Sequence, residues 1–165
     1  MPRFTMSRTA LAALLVGLAT ALRLSPSNPN ITYSPYQWLV NDSTATTLNT
    51  GANFRILFTG NSLNITFDTS LMVTPPTQLY YSVDNGARTP FIVGPSITVE
   101  VPINLTHGDV PYHLLTVMVK SMTERAARWA AGGATTRVVF TGLELEAGAT
   151  TAAIVDSTQN ILLYG

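Results

Sequence analysis

Two runs of alternating apolar residues, Phe54-Arg55-Ile56-Leu57-Phe58-Thr59 and Ser62-Leu63-Asn64-Ile65-Thr66-Phe67-Asp68, flank the pair Gly60-Asn61. A period of two puts Phe54, Ile56 and Phe58 on one side of an extended chain, and Leu63, Ile65 and Phe67 likewise, a pattern that suits a strand and not a helix. Gly-Asn tolerates the positive φ angles of a two-residue turn, so the segment is expected to form a hairpin. Its register would pair Phe58 with Leu63, Ile56 with Ile65 and Phe54 with Phe67 on a buried face. Arg55 and Thr66 would then share the opposite, solvent face.

The same alternation recurs in Leu79-Tyr80-Tyr81-Ser82-Val83, Ile97-Thr98-Val99-Glu100-Val101 and His113-Leu114-Leu115-Thr116-Val117-Met118-Val119-Lys120. Turn signals separate them at Asp84-Asn85-Gly86, Gly94-Pro95 and His107-Gly108-Asp109 with Pro111. Arg137-Val138-Val139-Phe140 and Leu143-Glu144-Leu145-Glu146 follow, with Gly142 between them as an expected bulge. Short strands at this spacing imply an all-β fold, an antiparallel β-sandwich. One stretch departs from it. Ser121-Met122-Thr123-Glu124 has the form of a capping box, and Arg125 to Ala131 are mostly helix formers ending at Gly132-Gly133, so one short helix or ordered loop is expected there.

The amino terminus reads as a cleaved secretory signal over residues 1–21. Arg3 and Arg8 precede an apolar run from Ala10 to Leu22 that is shorter than the roughly 20 residues of a membrane span. Ala19-Thr20-Ala21 supplies the small residues a signal peptidase reads, and cleavage is expected near Leu22. The expected remainder is a linker at 22–35, a sandwich domain at 36–146, a second linker at 147–159 and a further strand from residue 160. A secreted or extracellular location gives meaning to four Asn-x-Ser/Thr triplets, at Asn30, Asn41, Asn64 and Asn104, as glycosylation sites. Asn104, in a Pro-bounded loop, and Asn64, on an outward strand face, are the best placed of them.

Composition removes several function classes. The 165 residues hold no cysteine and only two histidines, His107 and His113, so disulfides, thiolate metal sites and a multi-histidine metal centre are not expected, and no cofactor is implied. Nine basic residues balance nine acidic ones and Lys120 is the sole lysine, which argues against nucleic acid as a partner. No second apolar stretch reaches membrane length, so no membrane association is expected after signal cleavage. His113 shares a face with Leu115, Val117 and Val119 and reads as a buried histidine satisfied by a neighbour, while His107 reads as solvated in a turn. Glu124 reads as the closing residue of its capping box, and Asp84-Asn85-Gly86 as a turn with too few oxygens for calcium. Trp129, Trp38 and Tyr80 are the aromatic candidates for stacking on sugar rings, with packing as the alternative use of each.

The order of several segments carries a resemblance. Gly51-Ala52-Asn53-Phe54-Arg55 through Phe58-Thr59-Gly60-Asn61-Ser62, then Tyr81 to Gly86, His113 to Val117, Lys120, Thr123-Glu124, and Phe140-Thr141-Gly142-Leu143-Glu144-Leu145 resemble the amino-terminal jelly-roll of carbohydrate esterase family 2. The resemblance covers roughly residues 36 to 146. Asn160-Ile161-Leu162-Leu163-Tyr164-Gly165 resembles the first strand of the SGNH hydrolase domain that follows in that family, where the strand runs into a Gly-Asp-Ser block bearing the nucleophile.

The resemblance implies a jelly-roll-like sandwich attached to a serine esterase that deacetylates polysaccharides. It places the catalytic serine, its histidine and the oxyanion donors beyond Gly165, so no catalytic role carries over to these 165 residues. The expected function is a non-catalytic accessory sandwich of a secreted acetyl-polysaccharide esterase, packed on a downstream hydrolase domain, with polysaccharide or acetylated sugar as partner. The alternatives are a stand-alone carbohydrate-binding, lectin-like module and a cell-surface structural glycoprotein.

Overall fold

The computed structural model describes residues 20–70, 72, 76–101, 112–122 and 137–155. Among them the chain is all-β. One sheet contains β1 (Leu22–Leu24), β3 (Leu39–Val40), β4 (Ala45–Thr47), β6 (Ser62–Asp68), β9 (Ser96–Glu100) and β11 (Val138–Leu145), in the order β3-β4-β11-β6-β9 with β1 also on β11. The other contains β2 (Ile31–Tyr33), β5 (Asn53–Phe58), β7 (Gln78–Val83), β8 (Thr89–Ile92), β10 (His113–Ser121) and β12 (Thr151–Ala152), in the order β12-β5-β10-β7-β8 with β2 also on β5. Every pairing is antiparallel. Each sheet has one long strand whose free edge is shared by two short ones. β4 and β1 divide the edge of β11, and β2 and β12 divide that of β5.

The core lies between the sheets, where alternate residues of each strand meet. Phe54, Ile56 and Phe58 of β5 and Leu115, Val117 and Val119 of β10 face Leu63, Ile65 and Phe67 of β6 and Phe140, Leu143 and Leu145 of β11, all buried. Phe54 stacks on Phe140 at 4.5 Å across the sandwich, and Phe140 in turn meets Phe67 at 6.2 Å. Removing each such ring from water stabilises the fold by about 1.5–3 kcal/mol.

The expected sandwich and the expected burial pattern are both present, but the hairpin at Gly60-Asn61 is not. β5 and β6 belong to different sheets, so their six inward residues face one another across the core and do not sit side by side in one ladder. Period-two alternation is satisfied equally by either arrangement, because both bury the same face. The linking residues decide between them. Gly60 has positive φ, +106°, which a type II′ hairpin turn would also accept, so it is the bonding of the link and not its backbone sign that differs from a hairpin. Asn61 N donates to Glu146 Oε1 at 2.7 Å, and Thr59 N to Thr150 O at 2.9 Å, so the connection is held by the segment after β11. Arg55 and Thr66 consequently lie on opposite outer faces of the molecule.

Gly142 forms the expected bulge, with φ +143° and a register shift between Phe140 and Gly142. A Cβ at this position would lie 2.6 Å from Leu24 O, so β1 approaches β11 closely only because no side chain intervenes. Three boundaries differ from expectation. Residues 22–35, expected as a linker, contribute β1 and β2 to the two sheets, and the linker expected at 147–159 contributes β12. Ser121, expected to cap a helix, is the last residue of β10 and pairs with Gln78. In the first two cases a stretch too short to show a period of its own gains a ladder partner that local pattern does not announce. The helix expected after Thr123 and the strand expected from residue 160 lie outside the described residues.

Candidate functional site

The outer face of the second sheet carries a groove of about 260 Å³ next to the β7–β8 turn, lined by Tyr80, Ser82, Asn85, Arg88, Thr116 and Met118 among others. Its geometry begins with the turn. Gly86 N donates to Val83 O at 2.8 Å, and the central residues Asp84 and Asn85 have φ of +51° and +57°, the left-handed pair of a type I′ hairpin. Asp and Asn tolerate this region better than other side-chain-bearing residues. Asp84 is pinned as well. Its N donates to Leu114 O at 2.8 Å, its Oδ1 accepts from Leu114 N at 2.7 Å, and its Oδ2 lies 2.7 Å from His113 Nδ1. The turn that presents Asn85 and Arg88 is thus fixed to the start of β10.

Tyr80, one of the candidate sugar contacts, stands half-exposed on this face opposite Met118. Lys120 Nζ lies 5.2 Å from its ring centroid and donates to Gln78 Oε1 at 3.1 Å. Trp38 is elsewhere. Its Nε1 donates to Asn53 O at 3.0 Å and its ring packs 5.5 Å from Tyr33 and 6.0 Å from Phe54, so most of it extends the core. It borders a second depression of about 370 Å³, with Tyr36, Leu39 and Arg137. Tyr36 is the fully exposed aromatic there, held at φ +61°. Sequence reasoning missed it, although Pro35 before it marks the turn that puts it in solvent. Trp129 lies outside the described residues.

His113 is buried and satisfied, as its place on the Leu115 face implies, with Asp84 on Nδ1 and the Phe58 ring at 5.9 Å. A histidine–aspartate pair is part of an acyl-transfer centre, but among the described residues no serine or threonine hydroxyl hydrogen-bonds this ring. Nor does any group of three His, Asp or Glu among them have the arrangement of a metal site. No helix of the described residues is long and apolar enough to cross a membrane.

The glycosylation triplets differ in geometry. Asn41 is exposed in the β3–β4 turn, its Oδ1 accepting from Ser43 N at 3.0 Å and from Thr44 N at 2.8 Å. Asn64 is on the outer face of β6, where its Oδ1 accepts from Thr98 Oγ1 at 2.7 Å. Asn30 is half-buried, and its Nδ2 donates to Thr151 Oγ1 at 2.8 Å, so the nitrogen a glycan would occupy already ties β12 to the segment before β2. Asn104 lies outside the described residues.

No protein-family model and no curated protein sequence matches this chain. Solved structures do. A family two carbohydrate esterase from Cellvibrio japonicus superposes with a TM-score of 0.57 at 19% identity, over 82% of this chain and 36% of that one. A salicylyl-acyltransferase, SsfX3, of a tetracycline biosynthetic pathway gives 0.55 at 13% identity, over 83% and 42%. A family two esterase from Clostridium thermocellum in complex with cellohexaose gives 0.51 at 19% identity, over 76% and 34%. The chain therefore has the fold of one part of family two carbohydrate esterases and related esterases, and spans little more than a third of the length of the first of them.

Proposed function

We propose that the chain is the non-catalytic accessory sandwich of a secreted esterase acting on acetylated polysaccharide, with the nucleophile in a hydrolase domain that follows it. The observation that carries this reading is the lopsided coverage. Four-fifths of this chain superposes on about a third of an esterase chain, so the shared part is a domain-sized sandwich beside a larger remainder. His113 supports it, because its Nδ1 meets Asp84 as a triad histidine's would, yet among the described residues no serine or threonine hydroxyl hydrogen-bonds its ring. A base needs an accessible nucleophile within hydrogen-bond reach. Cellohexaose in one of the similar esterases supports a polysaccharide as the material met.

Secretion and glycosylation belong to the same reading. Cleavage near Leu22 would leave β1 intact, since its first residue pairs with Leu145. Asn41 and Asn64 present their side chains at the surface and are the described sites we assign as occupied in a glycosylating host.

The test is an acetyl-release assay on acetylated xylan and on an activated acetyl ester, run with the 165-residue chain and with the same gene read past Gly165. The short chain should show no turnover above background, and the longer one should turn over with a dependence on its own serine. Turnover by the short chain that disappears in His113→Ala would overturn the accessory role and make His113 a base. A lectin-like module is favoured by the exposed Tyr36 and half-exposed Tyr80 alone. A longer chain with no esterase activity and a short chain retaining sugar would select it.

A further inference from the structure

The two outer faces of the sandwich differ, among the described residues, in their charged side chains. Among the described residues the first sheet and its turns hold Asp42, Asp68, Glu100, Glu144 and Glu146 against Arg23 and Arg137, five acids to two bases. Arg23 Nη2 is paired with Glu144 at 3.5 Å. Among the described residues at the groove end of the second sheet, Arg88 and Lys120 are the cations and Asp84 is the acid, its carboxylate turned onto His113 and Leu114 N. Ser62, Asn64, Thr66, Ser96 and Thr98 face outward from β6 and β9, with Leu39 exposed at the β3 edge, whereas the outer face of the second sheet mixes Leu57, Tyr80, Leu114 and Met118 with the polar Ser82 and Thr116. A face that is both cationic and partly apolar is suited to an anionic partner with flat apolar patches.

We propose that the groove on the outer face of the second sheet binds a polysaccharide bearing carboxylate groups, a uronic-acid-containing glycan. Sugar as the partner class rests on the esterase reading above; the carboxylate rests on the charge distribution. Tyr80 and Ser82 line the groove along β7, about 7 Å apart, with Asn85 and Arg88 on the side of the turn, and Lys120 stands beside it with its Nζ 5.2 Å from the Tyr80 ring centroid. The Arg88 guanidinium offers a planar fork to one carboxylate and the Lys120 ammonium a point charge to another. Ser82 and Thr116 supply hydroxyls between them, and the Tyr80 ring and Met118 supply the apolar floor. The pinned left-handed turn holds Asn85 and Arg88 in place before the ligand arrives, which lowers the ordering cost of binding. A nucleic acid fits less well, since its evenly spaced phosphates call for a denser row of cations.

The experiment is affinity electrophoresis and calorimetry of the whole chain with polygalacturonate, with the same polymer methyl-esterified, with neutral xylan and with a single-stranded oligonucleotide. Polygalacturonate should be retained in preference to all three others, and the retention should fall as salt rises from about 0.05 to about 0.5 M. Arg88→Gln and Lys120→Gln should each weaken it about fivefold, while Glu100→Gln on the opposite face leaves it unchanged. Urea midpoints equal to that of the parent chain establish that these exposed variants remain folded. Equal retention on the esterified polymer or on xylan, equal retention on the oligonucleotide, no retention on any polymer, or retention indifferent to both cation variants would each overturn the proposal. Binding is read without turnover, so these outcomes are independent of the acetyl-release assay that judges the esterase reading.

Discussion

Replacing Asp84 probes the device that fixes the β7–β8 turn. Its carboxylate accepts from His113 Nδ1 and from Leu114 N, both at 2.7 Å, while its backbone sits at φ +51°. Asp84→Ala removes both acceptors and leaves a mostly buried imidazole and a backbone N–H without partners. A hydrogen bond to a charged group contributes about 1.5–3 kcal/mol, and the partial exposure of Asp84 brings each nearer about 1–1.5. Alanine in the left-handed region adds about 1 kcal/mol of strain. The expected loss is about 3–4 kcal/mol, a large part of the 5–15 kcal/mol typical of a domain. Asp84→Gly loses the same acceptors without the strain and should cost about 1 kcal/mol less. Asp84→Asn keeps an acceptor for Leu114 N and tolerates the backbone, so about 1 kcal/mol is expected. Urea denaturation reads this order directly, and the alanine variant should shift the midpoint by roughly 2 M. If alanine proves no worse than asparagine, the carboxylate does not hold the turn. If glycine proves worse than alanine, the backbone is not strained there.

The remaining predictions concern the core, the bulge and alkaline pH. Ile65→Ala should cost about 2–5 kcal/mol because the side chain is wholly buried, whereas Thr66→Val should cost about 1 kcal/mol, since Thr66 Oγ1 donates to Gly142 O and accepts from Thr141 Oγ1, both at 2.9 Å; urea titration of both variants checks the contrast. Gly142→Ala should cost about 2–4 kcal/mol, because it meets Leu24 O and a positive φ together, and loss of amide protection in β1 by hydrogen exchange would locate the damage. Burial holds the Tyr33 phenol well above its ordinary value of 10.0, with its hydroxyl donating to Pro26 O at 2.8 Å. A raised folded-state value means that this contribution is complete below pH 10 and is lost as pH rises beyond it, so Tyr33→Phe should flatten the alkaline fall in stability, measured as urea midpoints between about pH 9 and about pH 11.

The strands that bury one face were legible from alternation alone, as β6, β7, β9, β10 and β11 show, and so was the turn at Asp84-Asn85. The bulge at Gly142 was legible because glycine there interrupts a period that resumes at Leu143. The short edge strands were not. Leu22–Leu24, Ile31–Tyr33 and Thr151–Ala152 are two or three residues long, and each is a strand only because β5 or β11 offers an unpaired edge beside it. At the candidate groove the sequence singled out Tyr80 and missed Arg88, Ser82 and Thr116. Ser82 is Tyr80's own neighbour on the outer face of β7, whereas Thr116 on β10 and Arg88 just before β8 come to Tyr80 only through cross-strand pairing. Trp38 shows the opposite error, an aromatic proposed for sugar whose indole N–H and ring are mostly committed to the protein itself.

The misread turn at Gly60-Asn61 and the charge division are one fact seen twice. In a hairpin, the outward residues of β5 and β6 would share a surface, and Arg55 would sit among Asn64, Thr66 and the acids that follow along that sheet. Because the chain instead crosses the core there, Arg55 and Leu57 go to one exterior and Ser62, Asn64 and Thr66 to the other. The same crossing recurs from β6 to β7, from β8 to β9, from β9 to β10 and from β10 to β11, so residues close in sequence are repeatedly sent to opposite exteriors. A composition balanced over the whole chain can therefore place most of the described acids on one outer face and Arg88 and Lys120 on the other. Net charge alone cannot reveal a binding surface in such a topology, because the sorting is done by strand order.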